Sequence, residues 1–433
     1  VLKTLVSLAL PMIFRNRHRR RFPIAGEVEP GFTEVDDAFR QNFDQRGEEG
    51  AACTLYYRGR KVVDIWGGYR CYRTGKRWEP STLVLTYSVT KGMAAAALAV
   101  AHSRGLWQFD ERVATYWPEF GQAGKQAITV RQLLAHQAGL IGLGRRLRPD
   151  ELGDLDLLAR MAAKSRPAWP TGERHGYHTL SLGWFENELI RRVDPQRRSL
   201  GTFFQDEIAR PLGVEFYIGL PTSIAGERVA TIQGFPRRAL FCHLHELPLA
   251  MILAGVWPCS WVARSVGDLP LGNPALLNES PYRYAEIPSA NGIGAARAIA
   301  KVYDALLGLG DNPLQMKAET VRELQASPLT PRQGGRDAIL KIDTQYAFGF
   351  SRPSQAMRFG SDGRAFGTFG AGGAFGMADP AGELAYAYVT NKMGFRLYDD
   401  PREVAVRDAC YRCVQRLEGA LPEQVSSLIR GAR

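Results

Sequence analysis

The strongest constraint on this chain is that its strand signal falls in two widely separated places. Residues 51–57 (Ala-Ala-Cys-Thr-Leu-Tyr-Tyr) and 61–67 (Lys-Val-Val-Asp-Ile-Trp-Gly) are short β-rich runs, and Arg58-Gly59-Arg60 between them reads as a hairpin loop. The signal lapses and returns at 346–351, 373–378 and 383–390, with Asp379-Pro380-Ala381-Gly382 as the turn between the last two. The intervening chain has mostly helical spacing broken by Pro/Gly loops, as at 91–103, 180–193, 200–208 and 295–307. Helical spacing also marks 32–48 and 400–417. Consecutive hairpins predict an antiparallel sheet rather than a doubly wound parallel one. The expected fold class is α/β of the α+β type. A sheet domain would form from residues 25–90 and 335–433, with a mostly helical domain (91–334) inserted and an arm (1–24) in front. The cleft between the two domains is where a ligand should bind.

Charge narrows the partners. The 433 residues carry 55 Lys+Arg against 44 Asp+Glu, a net +11. Six of those positive charges (Lys3, Arg15, Arg17, Arg19, Arg20 and Arg21) lie in residues 1–21, which hold no acid. The rest of the chain is only mildly basic and has no nucleic-acid motif, so no nucleic-acid partner is expected. The arm's fourteen mostly apolar residues before Arg15 are too few for a span of about 20 residues, and they do not read as a normal signal peptide. The arm could rest on an anionic membrane surface, or dock as a helix on its own domain or on a neighbouring subunit of a homo-oligomer. The six cysteines do not form a disulfide scaffold, and Cys410 and Cys413 share one helical face that is expected to be buried. The expected location is the cytoplasm, with membrane association through the arm as the alternative. His243-Leu-His245-Glu246 has two metal-ligand types but no third ligand, and reads as a paired or exposed group.

Three motifs carry chemistry. Ser88-Val-Thr-Lys91 opens an Ala-rich run of high helix propensity, and its i,i+3 spacing brings an ammonium beside a hydroxyl. A serine hydroxyl needs a neighbouring base to become a nucleophile, and a desolvated lysine can be that base. Tyr177, in Gly176-Tyr-His-Thr179, stands where a loop enters a helix and can point its phenol into a cleft, where a cation could depress its pKa for general-base work. Phe366-Gly-Thr-Phe-Gly-Ala-Gly-Gly-Ala-Phe-Gly376 is a glycine-dense stretch running into an edge-like strand, where a substrate could approach the backbone closely. Its glycine spacing does not fit a dinucleotide fingerprint.

In this order the motifs resemble the serine β-lactamase/penicillin-binding-protein superfamily, and within it the class C β-lactamase-like esterases (family VIII carboxylesterases and related transesterases), over residues 25–415. Ile128–Leu140, Gly172–His178, Pro211-Leu-Gly213 and Pro288–Gly292 support the likeness. The resemblance implies a two-domain fold and an acylated nucleophile at Ser88. Lys91 and Tyr177 would share its deprotonation, and the backbone N–H groups of Ser88 and Ala371 would form an oxyanion hole. Tyr87, Thr179, Thr368, Phe369, Gly370 and Asn391 would contact substrate, with Trp184 as further lining. Two positions depart from the lactamase pattern: Thr179 replaces the usual Asn or Ser, and Thr368 replaces the lysine that opens the third motif. Loss of that cation favours neutral esters over anionic lactams. The implied activity is a serine ester hydrolase (EC 3.1.1 type) acting on small or medium carboxylic esters or other small acyl donors, with no metal or other cofactor. The alternatives are a transacylase, a weak β-lactamase or D-aminoacyl peptidase, and a non-catalytic scaffold.

Overall fold

The computed structural model describes residues 22–234, 243, 246–270 and 274–419. Strands β1 (Ile24–Val28), β2 (Gly50–Tyr57), β3 (Arg60–Cys71), β4 (Lys76–Arg77), β5 (Val84–Leu85), β6 (Phe216–Ile218), β7 (Gly292–Gly294), β8 (Tyr346–Ala347), β9 (Phe350–Ser351), β10 (Phe366–Gly370), β11 (Ala374–Asp379) and β12 (Leu384–Thr390) form two sheets. The large one is antiparallel in the order β1-β3-β2-β12-β11-β10-β9-β8, with β4 paired to β3. The two distant β regions join where Leu384–Thr390 pairs with Ala51–Tyr57.

The hairpin between β2 and β3 is tighter than the sequence suggested, because Arg60 already pairs with Tyr57. Its two turn residues, Arg58 and Gly59, adopt φ of 52° and 73°, the left-handed geometry of two-residue hairpins. The turn after β11 forms as expected, with Asp379 Oδ1 accepting from the Ala381 and Gly382 amides at 3.1 and 3.2 Å. The glycine-dense stretch is not an edge. It is a whole hairpin, β10 and β11, with β10 also bridged to β9 at Gly367–Ser351. A second small sheet, β5-β7-β6, lies outside the expected pattern, since strands of two or three residues are too short to show a period.

Helix α1 (Thr33–Gln45) and the C-terminal helix α6 (Pro401–Gly419) cover one face of the large sheet, and Cys410 and Cys413 are buried there with Phe39 and Tyr386. On the other face lies α2 (Val89–Ser103), all fifteen residues of which are buried. An Ala-rich helix with no polar stripe can pack on every side, and this one is the axle of the molecule. Around it stand α3 (Ser181–Val193), α4 (Leu249–Gly255) and α5 (Ala296–Leu306) among others. Gly92 sets how closely α2 approaches β10. A Cβ there would fall inside van der Waals contact of the Tyr303 hydroxyl and Thr368 Oγ1.

Candidate active site

Ser88 stands at the N-cap of α2, and its side chain makes no capping hydrogen bond. The preceding Tyr87 is held at φ 49°, a left-handed conformation uncommon for a non-glycine residue, so the chain kinks sharply as it delivers Ser88. One turn on, Lys91 is 1% exposed. Its Nζ lies 2.7 Å from the Thr179 carbonyl, 2.8 Å from the Ser289 carbonyl and 3.1 Å from Ser88 Oγ. Burial pulls the Lys91 ammonium down to about 7, against a smaller upward pull from the Glu186 carboxylate. As a free amine, Lys91 donates its two protons to the two carbonyls and aims its lone pair at the Ser88 hydroxyl. That is the geometry of a general base.

Tyr177 closes the group. Its hydroxyl is hydrogen-bonded to Ser88, and its ring lies under the Lys91 ammonium, 4.6 Å from Nζ to centroid. The backbone is pinned by its amide donating to Asp337 Oδ2 at 3.0 Å, and Asp337 also accepts from the Tyr346 hydroxyl at 2.9 Å. Burial raises the Tyr177 phenol, and the Asp337 and Glu186 charges add to that rise over the opposing Ser88 bond. The expectation of a depressed phenol is therefore corrected: desolvation dominates, Tyr177 stays protonated, and Lys91 alone is tuned to accept a proton near neutrality.

His136 and His178 buttress the loop. His178 Nε2 accepts the Leu140 amide at 2.9 Å, which puts its proton on Nδ1, 3.1 Å from His136 Nδ1. Burial pushes the His178 imidazole down to about 3, so the pair is neutral. His243 Nδ1 pairs with Glu246 at 2.5 Å, while His245 lies outside the described residues.

Ser88, Lys91, Tyr177, Thr179, Thr368, Phe369 and Ala371 line one cavity of about 210 Å³. Its other walls are mainly apolar, including Met251, Val262, Ile339, Leu340, Met357 and Leu397, and Lys91 is the only residue with a cationic or anionic side chain among the described lining residues. Thr368 faces the cavity, but its hydroxyl is bonded to the Tyr303 hydroxyl at 2.9 Å and the Val89 carbonyl at 3.3 Å. Thr179 Oγ1 donates to Ser265 Oγ at 3.3 Å.

Four expected contacts are not in the cavity wall. Asn391 is buried and spends its amide nitrogen on the Tyr69 and Arg70 carbonyls at 3.0 and 3.1 Å, clipping strand ends together. Gly370 packs its backbone against Thr86, and Tyr87 turns its hydroxyl to Met393 Sδ at 3.4 Å. Trp184 is buried in the core. In each case a residue near the motif serves the fold instead.

The sequence reading missed the Ser289 carbonyl, because a main-chain acceptor carries no residue-type signal. It also missed Glu186. This side chain is fully buried on α3, and both carboxylate oxygens lack a hydrogen-bond partner among the described residues. Its Oε1 lies 3.3 Å from where a Cβ on Gly349 would stand, with Ala95, one turn beyond Lys91 on α2, at the same spot. Burial lifts the Glu186 carboxyl to about 8, opposed by Lys91. An acid on the apolar face of an amphipathic helix was the available signal.

Comparison with known proteins identifies the family. The Beta-lactamase family profile matches residues 35–410. The chain belongs to the Beta-lactamase family. It is 32% identical over 377 residues to "Esterase/beta-lactamase LipL" of Mycobacterium tuberculosis (strain ATCC 25618 / H37Rv), covering 86% of this chain and 83% of that protein. Among solved structures, a family VIII carboxylesterase is 36% identical with a TM-score of 0.77, over 90% of this chain and 100% of that one. A penicillin-binding protein homologue from Caulobacter crescentus is 34% identical with the same TM-score, over 90% of this chain and 100% of that one. This member of the Beta-lactamase family is a serine hydrolase of the esterase/β-lactamase type with a β-lactamase-like fold. No described helix is long and apolar enough to cross a membrane.

Proposed function

We propose that the protein hydrolyses neutral carboxylic esters of small or medium size through a covalent acyl-enzyme on Ser88, in the cleft between the sheet and helical domains. The observation that carries this reading is Lys91, with two acceptors on main-chain carbonyls, the third on Ser88 Oγ, and a proton affinity near neutrality. Lys91 takes the Ser88 proton as Oγ attacks the ester carbonyl. The oxyanion forms against the backbone N–H groups of Ser88, at the start of α2, and of Ala371. Tyr177 is bonded to Ser88 and passes a proton to the departing alkoxide, recovering it from Lys91. Water then attacks the acyl-enzyme, Lys91 accepts its proton, and Ser88 leaves as the free hydroxyl. Among the described lining residues Lys91 is the one cation, and it is already committed to Ser88 and two carbonyls, which leaves no described partner for a substrate carboxylate and disfavours β-lactams.

The apolar wall supports a second reading, acyl transfer, because it accommodates an alcohol acceptor as readily as water. Hydrolysis of p-nitrophenyl butyrate by the wild type and Ser88→Ala, with acyl-enzyme mass followed in the same samples, tests both. Ser88-dependent turnover with a transient adduct is the expected result. A persistent adduct cleared only by added alcohol would favour transfer. Equal rates in both proteins with no adduct would overturn the nucleophile assignment.

A further inference from the structure

Four large apolar side chains stand in water together beside the cleft. Leu249, Leu253, Val256 and Trp257 are 69%, 64%, 74% and 72% exposed. Their spacing, i, i+4, i+7 and i+8, puts them on one face of α4 and its C-terminal extension. A contiguous exposed apolar face of this kind marks an interaction surface. The opposite side of the same segment is a wall of the active site, since Met251, with Val262 and Val266 just beyond, lines the cavity. Whatever covers the outer face therefore lies at the mouth of the catalytic cleft.

Charge identifies the occupant. Residues 1–21 lie outside the described residues, but their sequence supplies six cations and no acid. The described chain begins at Phe22, whose ring packs against Tyr69 and Tyr72. From there the contacts run along one rim. The Thr231 amide donates to the Arg70 carbonyl at 2.7 Å, the Gln233 amide to the Asn391 carbonyl at 2.7 Å, and Arg396 pairs with Glu246 at 3.3 Å, three residues before Leu249. A 21-residue segment spans at most about 70 Å fully extended, ample to lie beside α4. Exposed apolar side chains at a site mouth, with a cationic arm rooted on the same rim, match a surface that is apolar below and anionic on top.

We propose that the α4 face docks this protein on an anionic lipid surface, with the cleft mouth turned to the bilayer, so that its ester substrates arrive from the lipid phase. The substrate clause rests on the esterase reading; the docking itself does not. Flotation with vesicles of phosphatidylcholine carrying phosphatidylglycerol, and with phosphatidylcholine alone, tests it on the full chain. The wild type should float with the anionic vesicles and less with the neutral ones. A variant with Leu249→Ser, Leu253→Ser, Val256→Ser and Trp257→Ser should lose at least about tenfold in vesicle binding. Its turnover of soluble p-nitrophenyl butyrate should be unchanged, which shows that it folds. Trp257→Phe gives an independent readout, since the wild-type-minus-variant fluorescence should shift to the blue when anionic vesicles are added. Wild type that does not float, or a serine variant that floats equally well, overturns the proposal. So does a dimer in light scattering that the serine variant dissolves without any vesicle binding, which would make a second copy the occupant. Wild type that floats with the anionic vesicles but does not turn over p-nitrophenyl butyrate would overturn the catalytic reading and leave docking standing.

Discussion

Lys91 and Lys125 have nearly the same surroundings, yet only Lys91 is proposed to act on a substrate. Both are at most 1% exposed, and both ammonium groups sit over an aromatic ring, Tyr177 at 4.6 Å and Phe120 at 5.2 Å. Burial lowers both, Lys91 to about 7 and Lys125 to about 8. They differ in one acceptor. Lys125 donates to three carbonyls, of Gln122 at 3.0 Å, Ala163 at 2.8 Å and Ser165 at 2.7 Å, and so caps the C-terminal end of the helix Leu155–Lys164. At Lys91 the third acceptor is a hydroxyl, which can give a proton back. A lowered pKa is thus common to a clamp and a base, and the identity of the third partner separates them.

Substitution should separate them further. Lys91→Met is expected to reduce kcat/KM about 10³-fold, the loss of a general base. It should not lower stability at pH 7. The folded state holds Lys91 well below its unfolded value of 10.5, so the unfolded chain binds more protons between about pH 7 and that value. In that window Lys91 costs stability that is regained as pH rises, and removing it relieves the cost. Lys125→Met should leave ester turnover unchanged; it strips three buried carbonyls of their donor, at about 1 kcal/mol each, and relieves a smaller pKa depression than Lys91→Met does, so it should be the less stable of the two variants in denaturant unfolding at pH 7.

Smaller effects sharpen the contrast. Because only neutral Lys91 accepts a proton, kcat/KM of the wild type should rise with pH through about 7 and then level off. The Glu186 carboxyl is held up to about 8 and is mostly protonated through that limb, so Glu186→Gln should leave the limb near pH 7 and the plateau rate close to wild type. A limb moved clearly to lower pH would show that Glu186 is ionised beside Lys91 and raises its proton affinity. Above about pH 8, where the unpartnered carboxyl ionises, the same variant should be the more stable protein in thermal melts.

What the sequence could show follows from what each residue contributes. Ser88 and Lys91 were legible because a helix converts i,i+3 spacing into contact, and the two-ended sheet because its strands are long enough to show a pattern. Tyr177 was legible as a residue at a loop–helix junction, though not in its protonation, which depends on how completely Asp337, Tyr346 and His136 enclose it. The Ser289 carbonyl carries no residue-type signature, and Glu186, behind the wall at Gly349, showed in the sequence only as an acid on the apolar face of its helix. Asn391 misled because an amide at a strand end serves a ligand and a neighbouring strand equally well, and here it serves the strand.

The close approach at Gly92 divides the cleft into two kinds of ground for change. Where α2 meets β10, even one added methyl group must displace Tyr303 and Thr368. The facing wall of Met251, Val262, Val266 and Leu397 is built from apolar side chains that hold none of the proposed reacting groups. New substrate range should therefore come by mutation of that wall alone. The protein holds a fixed chemical half and an evolvable recognition half within one cavity.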